Sequence, residues 1–155
     1  MIDLRPVAYV IGRILVVLDI LMVAPAILDW RGGDPNGFAI AKSALITGFV
    51  GVALSLATQN GLGGALDVRQ AYLLTAAIWT VLPAFGALPF WLGAPGLSYA
   101  DAMFEAVSGF TTTGATVIAG LDTLPVGMNL WRGMMNWLGG LGIAFIAMIF
   151  LPLMR

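Results

Sequence analysis

Long apolar stretches constrain the fold of this chain more than any other feature. A bilayer core of ~30 Å is crossed by about 20 residues of helix. Four segments approach or exceed that length: residues 7–28, 38–57, 71–92 and 130–154. The chain is 60% hydrophobic and only 10% charged, whereas a soluble domain carries about 25% charged residues. We therefore expect an all-α integral membrane protein.

Two missing residue types exclude most catalytic chemistry. The sequence contains neither cysteine nor histidine, so thiolate or histidine metal sites and Ser–His pairs cannot form within this chain. An intramembrane hydrolase would have to rely on Ser108 or Thr113 with Asp101 alone, and we do not expect an enzyme. The net charge of −1 gives no electrostatic case for nucleic acid. A Gly-rich phosphate loop is also missing, so we expect no cofactor.

The segment from residue 93 to 129 differs from the other connections. It is too apolar for a solvated loop, and its Gly, Thr and Pro content argues against a continuous spanning helix. Lipid tolerates non-helical backbone only where protein buries it or where it lines a watery cavity. We predict a re-entrant segment, with a short pore helix over 98–109 and an extended return over 111–116. Ser98 and Asp101 have the spacing of a helix N-cap.

The return reads Thr-Thr-Thr-Gly-Ala-Thr over residues 111–116. In selectivity filters, rows of main-chain carbonyls replace the hydration shell of a cation. Gly114 permits a backbone geometry that a Cβ atom would obstruct, and the negative C-terminal end of the pore helix favours a cation. The pattern predicts a potassium filter; a packed re-entrant loop without an ion is the alternative.

Two longer motifs carry a resemblance to a known family. Residues 104–116 read Phe-Glu-Ala-Val-Ser-Gly-Phe-Thr-Thr-Thr-Gly-Ala-Thr, and residues 130–142 read Leu-Trp-Arg-Gly-Met-Met-Asn-Trp-Leu-Gly-Gly-Leu-Gly. Together they resemble the Trk/Ktr (TrkH/KtrB) superfamily of potassium uptake proteins, over essentially the whole chain. The resemblance implies a leading transmembrane helix pair and then a first pore repeat. Its implied bounds are 1–58 for the pair and 71–155 for the repeat, with outer helix 71–92, pore helix 98–109, filter 111–116 and inner helix 130–154.

The same resemblance implies potassium transport by a multi-pass protein of the inner (cytoplasmic) membrane. The implied potassium ligands, mainly through backbone carbonyls, are Thr111, Thr112, Thr113, Gly114 and Ala115. The implied pore-supporting residues are Asp101, Glu105, Arg132, Gly139 and Gly140, the two glycines by close packing beside the filter. It further implies dimers of pore subunits and a cytoplasmic nucleotide-binding regulatory subunit.

Only one Thr–Gly filter segment occurs in the chain, whereas the family builds its pore from four repeats. A single repeat cannot enclose an ion. We expect the remaining repeats to follow in a longer protein, with assembly of four chains as the alternative. The rival function is a non-conducting structural subunit of a larger membrane complex.

Arg132, near the start of the fourth apolar segment, has two interpretations. Arg132 beside Trp131 is typical of an interfacial anchor, and bracing of the pore helix through Glu105 or Asp101 is the alternative. We expect Trp131 to belong to the aromatic belt.

Ionisable groups inside a spanning segment are candidates for function. Asp19 lies six residues from Arg13, so the two do not share a helix face. We expect a buried hydrogen bond between Asp19 and a polar group on another helix or on a missing repeat, in preference to an ion-pathway role. Because Asp19 interrupts the first apolar run, a cleaved secretory signal is disfavoured. Pro83 and Pro89 are expected to kink or end the outer helix.

Overall fold

The computed structural model describes residues 3–61 and 66–150. Within these ranges every regular element is helical, which confirms the predicted all-α fold. Among the described residues, three helical segments are long and apolar enough to cross a membrane, the third being the pair α3 and α4 taken together (Val68–Leu92). The helices are α1 (Arg5–Arg31), α2 (Asn36–Thr58), α3 (Val68–Gly86), α4 (Leu88–Leu92), α5 (Tyr99–Phe110) and α6 (Val126–Phe150).

Small residues hold α1 and α2 together as a hairpin. A Cβ atom added to Gly12 would lie 2.8 Å from the Gly51 carbonyl oxygen, so the two backbones can approach only because both positions are glycine. The Asp19 carboxylate occupies the space that a Gly48 side chain would need. In the part of the chain that the structure describes, Asp19 makes no hydrogen bond, so the one predicted for it is not found there.

The predicted outer helix over 71–92 is interrupted. It begins earlier, at Val68, where Asp67 and Gln70 form a capping box, and α3 ends at Gly86 before α4 resumes at Leu88. Pro89 has no amide hydrogen to continue the helical pattern. The Phe90 amide turns to the Ala87 carbonyl at 3.1 Å, which leaves the Gly86 carbonyl free for a donor from elsewhere.

Two aromatic side chains supply donors at this interruption. The Trp131 indole Nε1 donates to the Gly86 carbonyl at 3.0 Å, and the Tyr99 hydroxyl donates to the Ala84 carbonyl at 3.2 Å. Trp131 has 0% of its surface exposed, so its predicted place in the aromatic belt is wrong. The residue instead ties α6 to the break between α3 and α4.

The remaining packing fixes α5 between α3, α4 and α6. Ala102, Ala106 and Phe110 form its buried face and belong to the same core as Met128 and Met135 of α6. Helix α6 begins at Val126, four residues before the predicted start of the inner helix. The end of that prediction, residues 151–154, lies outside the described residues.

Candidate ion-coordinating segment

Helix α5 is too short to cross a bilayer. Its 12 residues extend about 18 Å against a core of ~30 Å. The Ser98 hydroxyl accepts from the Asp101 amide at 3.2 Å and donates to the Asp101 carboxylate at 2.7 Å. Asp101 is exposed and serves the positive end of α5. The structure thus places Asp101 in the helix cap, and Arg132 pairs with a different carboxylate.

Two residues after α5 adopt left-handed backbone conformations. Thr112 has φ +57° and Gly114 has φ +74°, whereas Thr111 has φ −85°. A β-branched residue in this region costs about 1–3 kcal/mol, so the surrounding contacts must hold Thr112 there. Successive carbonyls of an extended chain point to opposite sides, and left-handed residues at alternate positions break that pattern.

The amides of this stretch all turn back towards α5. The Thr112 amide donates to the Gly109 carbonyl at 2.9 Å, and the Thr113 amide donates to the Ser108 carbonyl at 3.0 Å. The Gly114 amide approaches the same Ser108 oxygen at 3.4 Å. In a trans peptide the C=O points opposite to the N–H of the next residue. The carbonyls of residues 111, 112 and 113 are therefore aimed away from α5.

These outward carbonyls lie on an open face of the chain. Residues 111–117 are all exposed. Among the described residues, the outward carbonyls of Thr111, Thr112 and Thr113 accept no hydrogen bond, and neither does the carbonyl of Gly114. The Ala115 carbonyl differs because it accepts from the Ser108 hydroxyl at 2.6 Å. Main-chain carbonyls are obligatory acceptors, so the exposed row requires water, protein or a cation as its partner.

One buried carboxylate, that of Glu105, holds the C-terminal end of the 111–117 segment. The Glu105 side chain is only 1% exposed. Its Oε1 accepts from the Val117 amide at 2.6 Å and from the Thr116 hydroxyl at 2.5 Å. Its Oε2 lies 3.2 Å from the Arg132 Nε. A buried charge is stable only when paired and hydrogen-bonded, and these contacts satisfy both needs. We call this arrangement of Glu105 and Arg132 the brace.

The brace decides between the two interpretations of Arg132. Its side chain is 19% exposed and pairs with Glu105 of α5, which is the contact that the bracing interpretation requires. The Arg132 carbonyl in turn accepts from the Asn136 amide group at 3.0 Å. Helix α6 therefore places the positively charged Arg132 side chain beside Glu105, the carboxylate that holds the end of the 111–117 segment.

The two glycines predicted beside the filter have different surroundings. A Cβ atom on Gly139 would overlap the carbonyl group of Phe110, the last residue of α5. A Cβ atom on Gly140 would meet only the Thr112 methyl group at 3.8 Å, an ordinary contact. Gly139 thus lies at a close approach between α5 and α6 that a side chain would block, and Gly140 does not.

Several residues of this region were not among the predicted sites. Ser108 and Thr116 fix the stretch through the hydrogen bonds above, and a hydroxyl one turn before a helix end is a recognisable capping signal. Asp29 is 2% exposed and bonds to both Asn36 and Gly127. Asp29 and Asn36 lie between the first two apolar segments, and the partner of Asp29 on α6 lies 98 residues away in the sequence, so no local pattern indicates their role.

The fold defines a multi-pass α-helical membrane protein. The family described as "TrkH: Cation transport protein" matches residues 36–155, and the chain belongs to that family. This confirms the resemblance inferred from the filter and inner-helix motifs.

Named relatives agree with the family assignment. The Trk system potassium uptake protein TrkH of Halomonas elongata is 38% identical over 151 residues, which cover 97% of this chain and 31% of that protein. The corresponding TrkH of Escherichia coli K12 is 34% identical over the same length and also 31% covered. These relatives are named as transporters and not as enzymes.

A solved structure shows the same architecture. The crystal structure of the potassium transporter TrkH from Vibrio parahaemolyticus superposes with a TM-score of 0.90 at 34% identity, covering 97% of this chain and 32% of that one. The chain therefore spans about a third of the length of the relatives that it matches.

Proposed function

We propose that this chain supplies one of four pore repeats in a protein that carries potassium across the cytoplasmic (inner) membrane. The carbonyls of Thr112, Thr113 and Gly114 would replace part of the hydration shell of the ion. No covalent step is involved. The membership of the chain in a cation transport family and the names of its relatives support this proposal.

The observation that carries the proposal is the outward row of carbonyls. For the Thr112 and Thr113 carbonyls, the amide of the following residue bonds to α5, and the described residues provide no donor for the carbonyls of Thr112, Thr113 or Gly114. The Thr111 and Thr113 hydroxyls contact each other at 2.8 Å, and Thr111 also donates to the Val107 carbonyl at 2.8 Å. Because these hydroxyls are engaged locally, the proposed ligands are main-chain oxygens.

Thr111 and Ala115 flank the proposed ligands and take secondary roles. The Ala115 carbonyl already accepts from Ser108, although its second lone pair leaves room for an ion. The Thr111 carbonyl points away from α5 but lies closest to the helix end. A ligand row centred on Thr113 and bounded by these two residues follows from this arrangement.

The brace gives the row a defined position. Selectivity between cations depends on the number and spacing of coordinating dipoles, so the backbone must not relax around a smaller ion. Glu105 holds the downstream residues, and Gly139 seats the end of α5 against α6. We infer that α6 acts as the rigid support of the filter.

One segment can cover only one side of an ion. We propose that the other sides come from three further repeats, with assembly of four chains as the alternative. The division into a leading pair over 1–58 and a pore repeat over 71–155 belongs to the same proposal. Pairing of pore subunits and a cytoplasmic nucleotide-binding regulatory subunit are further proposed partners.

The test uses the protein translated from the complete reading frame that contains this chain, called the full-length protein below. It is produced in bacteria that lack potassium uptake, and growth and initial uptake are measured at low external potassium. Restored uptake that prefers potassium over sodium is expected. A protein that reaches the membrane and restores nothing would instead support the structural-subunit alternative.

A further inference from the structure

Asp29 occupies an unfavourable position unless another element stabilises it. It lies in the last turn of α1, where the helix dipole disfavours a negative charge. Its side chain is also almost completely buried, with 2% exposure, and burial penalises an unpaired carboxylate. The groups that the Asp29 carboxylate contacts must therefore offset these two costs.

The first contact is the start of α6. Asp29 Oδ1 accepts from the Gly127 amide at 2.5 Å. Gly127 is the second residue of α6, and first-turn amides have no partner within their own helix. The carboxylate also faces the positive end of the α6 dipole. A Cβ atom on Gly127 would overlap the Pro25 carbonyl and the Asp29 carboxylate, so the close approach of α1 and α6 at this point requires glycine.

The second contact runs through α2. Asp29 Oδ2 accepts from the Asn36 amide group at 2.9 Å. The Asn36 Oδ1 in turn accepts from the Ala94 amide at 2.8 Å. Ala94 belongs to the connection that leads into α5. The Asp29–Asn36 pair of the leading hairpin therefore holds the entries to both α5 and α6, the two helices that carry the ion-coordinating segment and its brace.

The path from this pair to the carbonyl row is short. Gly127 and Arg132 are five residues apart on one helix, about 7.5 Å along its axis. Arg132 contacts Glu105, and Glu105 bonds to the Val117 amide. Every step is a direct contact between packed or helical groups, so a shift of the α6 start reaches the brace.

We propose that Asp29, together with Asn36, is a positioning residue for cation discrimination. It never approaches the ion; it sets where α6 begins, and α6 sets the brace that holds the carbonyl row. The leading hairpin is thus part of the selectivity apparatus and not only a membrane anchor. This inference rests on the proposed potassium function.

The test exchanges the two side chains. With Asp29→Asn alone, the new side-chain NH2 group faces the NH2 group of Asn36, so two donors oppose each other. With Asn36→Asp alone, two carboxylates face each other and repel. The double exchange restores the three hydrogen bonds: residue 29 still accepts from Gly127 and now donates to residue 36, which still accepts from Ala94. Asp34→Asn is the matched control, because its new side-chain oxygen can still accept from the main-chain N–H of Asn36.

The measured quantities are the apparent KM for potassium, the maximal uptake rate per protein in the membrane, and inhibition by sodium, all in the full-length protein. Each single exchange is expected to raise the KM about fivefold, within the range for substitutions that act through packed elements. The double exchange is expected to return the KM to within about twofold of the starting protein. Asp34→Asn is expected to leave it unchanged.

Two results would overturn the inference. One is a lower protein amount or maximal rate with an unchanged KM and unchanged sodium inhibition in the single exchanges. The other is failure of the double exchange to recover the KM. Should the single exchanges not reach the membrane, Asn36→Ala keeps the Asp29–Gly127 bond and is expected to raise the KM; an unchanged KM counts against the inference.

Failure of the proposed function gives a different pattern. If the unsubstituted full-length protein takes up no potassium, the proposed function fails. If it takes up potassium and a substitution in the carbonyl row alters its selectivity, while the single exchanges at residues 29 and 36 alter neither the KM nor the inhibition by sodium, only the role of Asp29 fails.

Discussion

The Glu105 Oε2 and the Arg132 Nε lie 3.2 Å apart across the interface between α5 and α6. The same carboxylate also holds the backbone just beyond the carbonyl row. Two of its hydrogen bonds come from Val117 and Thr116. Glu105 therefore acts as an acceptor for three donors from two elements. Arg132 pairs with only one of the two carboxylate oxygens of Glu105, Oε2.

This asymmetry predicts the outcome of charge reversal. Arg132→Glu removes the partner of a buried carboxylate and is expected to cost about 3 kcal/mol of stability. Adding Glu105→Arg is not expected to restore it, because a guanidinium cannot accept from the Val117 amide or the Thr116 hydroxyl. Arg132→Lys keeps the positive charge and serves as the control. Thermal unfolding in detergent and potassium uptake are measured; recovery in the double reversal would contradict the assigned role of Glu105.

Gly139 and Gly133 provide a matched pair on α6. Gly139→Ala places a methyl group on the Phe110 carbonyl and is expected to cost about 1–3 kcal/mol, with reduced potassium selectivity. A Cβ atom on Gly133 meets nothing within 4 Å, so Gly133→Ala is expected to raise helix stability by up to ~1 kcal/mol. Gly140→Ala is expected to be close to neutral. Equal effects at Gly139 and Gly133 would show that α5 and α6 do not meet as described.

Trp131 is expected to matter through its indole N–H. Trp131→Phe leaves the Gly86 carbonyl without a donor inside the core and is expected to lower stability by about 1–3 kcal/mol. Trp137→Phe is the control, because Trp137 lies on the same helix with 62% exposure. The midpoint of thermal unfolding is compared for both variants. An equal decrease for the two would contradict the buried hydrogen bond to Gly86.

The reading frame beyond Arg155 tests the four-repeat architecture directly. We expect three further segments in which a short capped helix runs into a Thr/Gly stretch and then a long apolar helix. Sequencing the complete frame is sufficient to decide this. A frame without such segments, combined with potassium uptake by this chain alone, would indicate assembly of four chains instead.

Local features of the carbonyl row could be predicted from the sequence. The Ser98 cap, the position of α5 and the need for glycine at residue 114 depend on neighbouring residues, and the structure places α5 one residue later than the predicted range. Gly114 indeed has a positive φ. The positive φ of Thr112 could not be anticipated, since a β-branched residue rarely adopts it.

The supporting contacts depend on packing between distant residues. The Asp29–Gly127 bond spans 98 positions, and no local pattern in either segment signals the other. Trp131 was assigned to the aromatic belt because tryptophan beside arginine at a helix start is typical of membrane interfaces. The break after Gly86 leaves a main-chain carbonyl that accepts a hydrogen bond from the buried Trp131 indole. The position of that break could be predicted only approximately, from Pro83 and Pro89.

The most direct measurement compares Gly114→Ser with Gly33→Ser in the full-length protein. Both glycines have φ +74° with nothing within 4 Å of an added Cβ atom, so each substitution imposes a similar backbone strain of about 1 kcal/mol. Gly33 lies in the turn between α1 and α2. We predict that the ratio of potassium to sodium uptake falls about tenfold for Gly114→Ser and stays unchanged for Gly33→Ser. An unaltered ratio in a well-expressed Gly114→Ser protein would contradict cation coordination by this backbone.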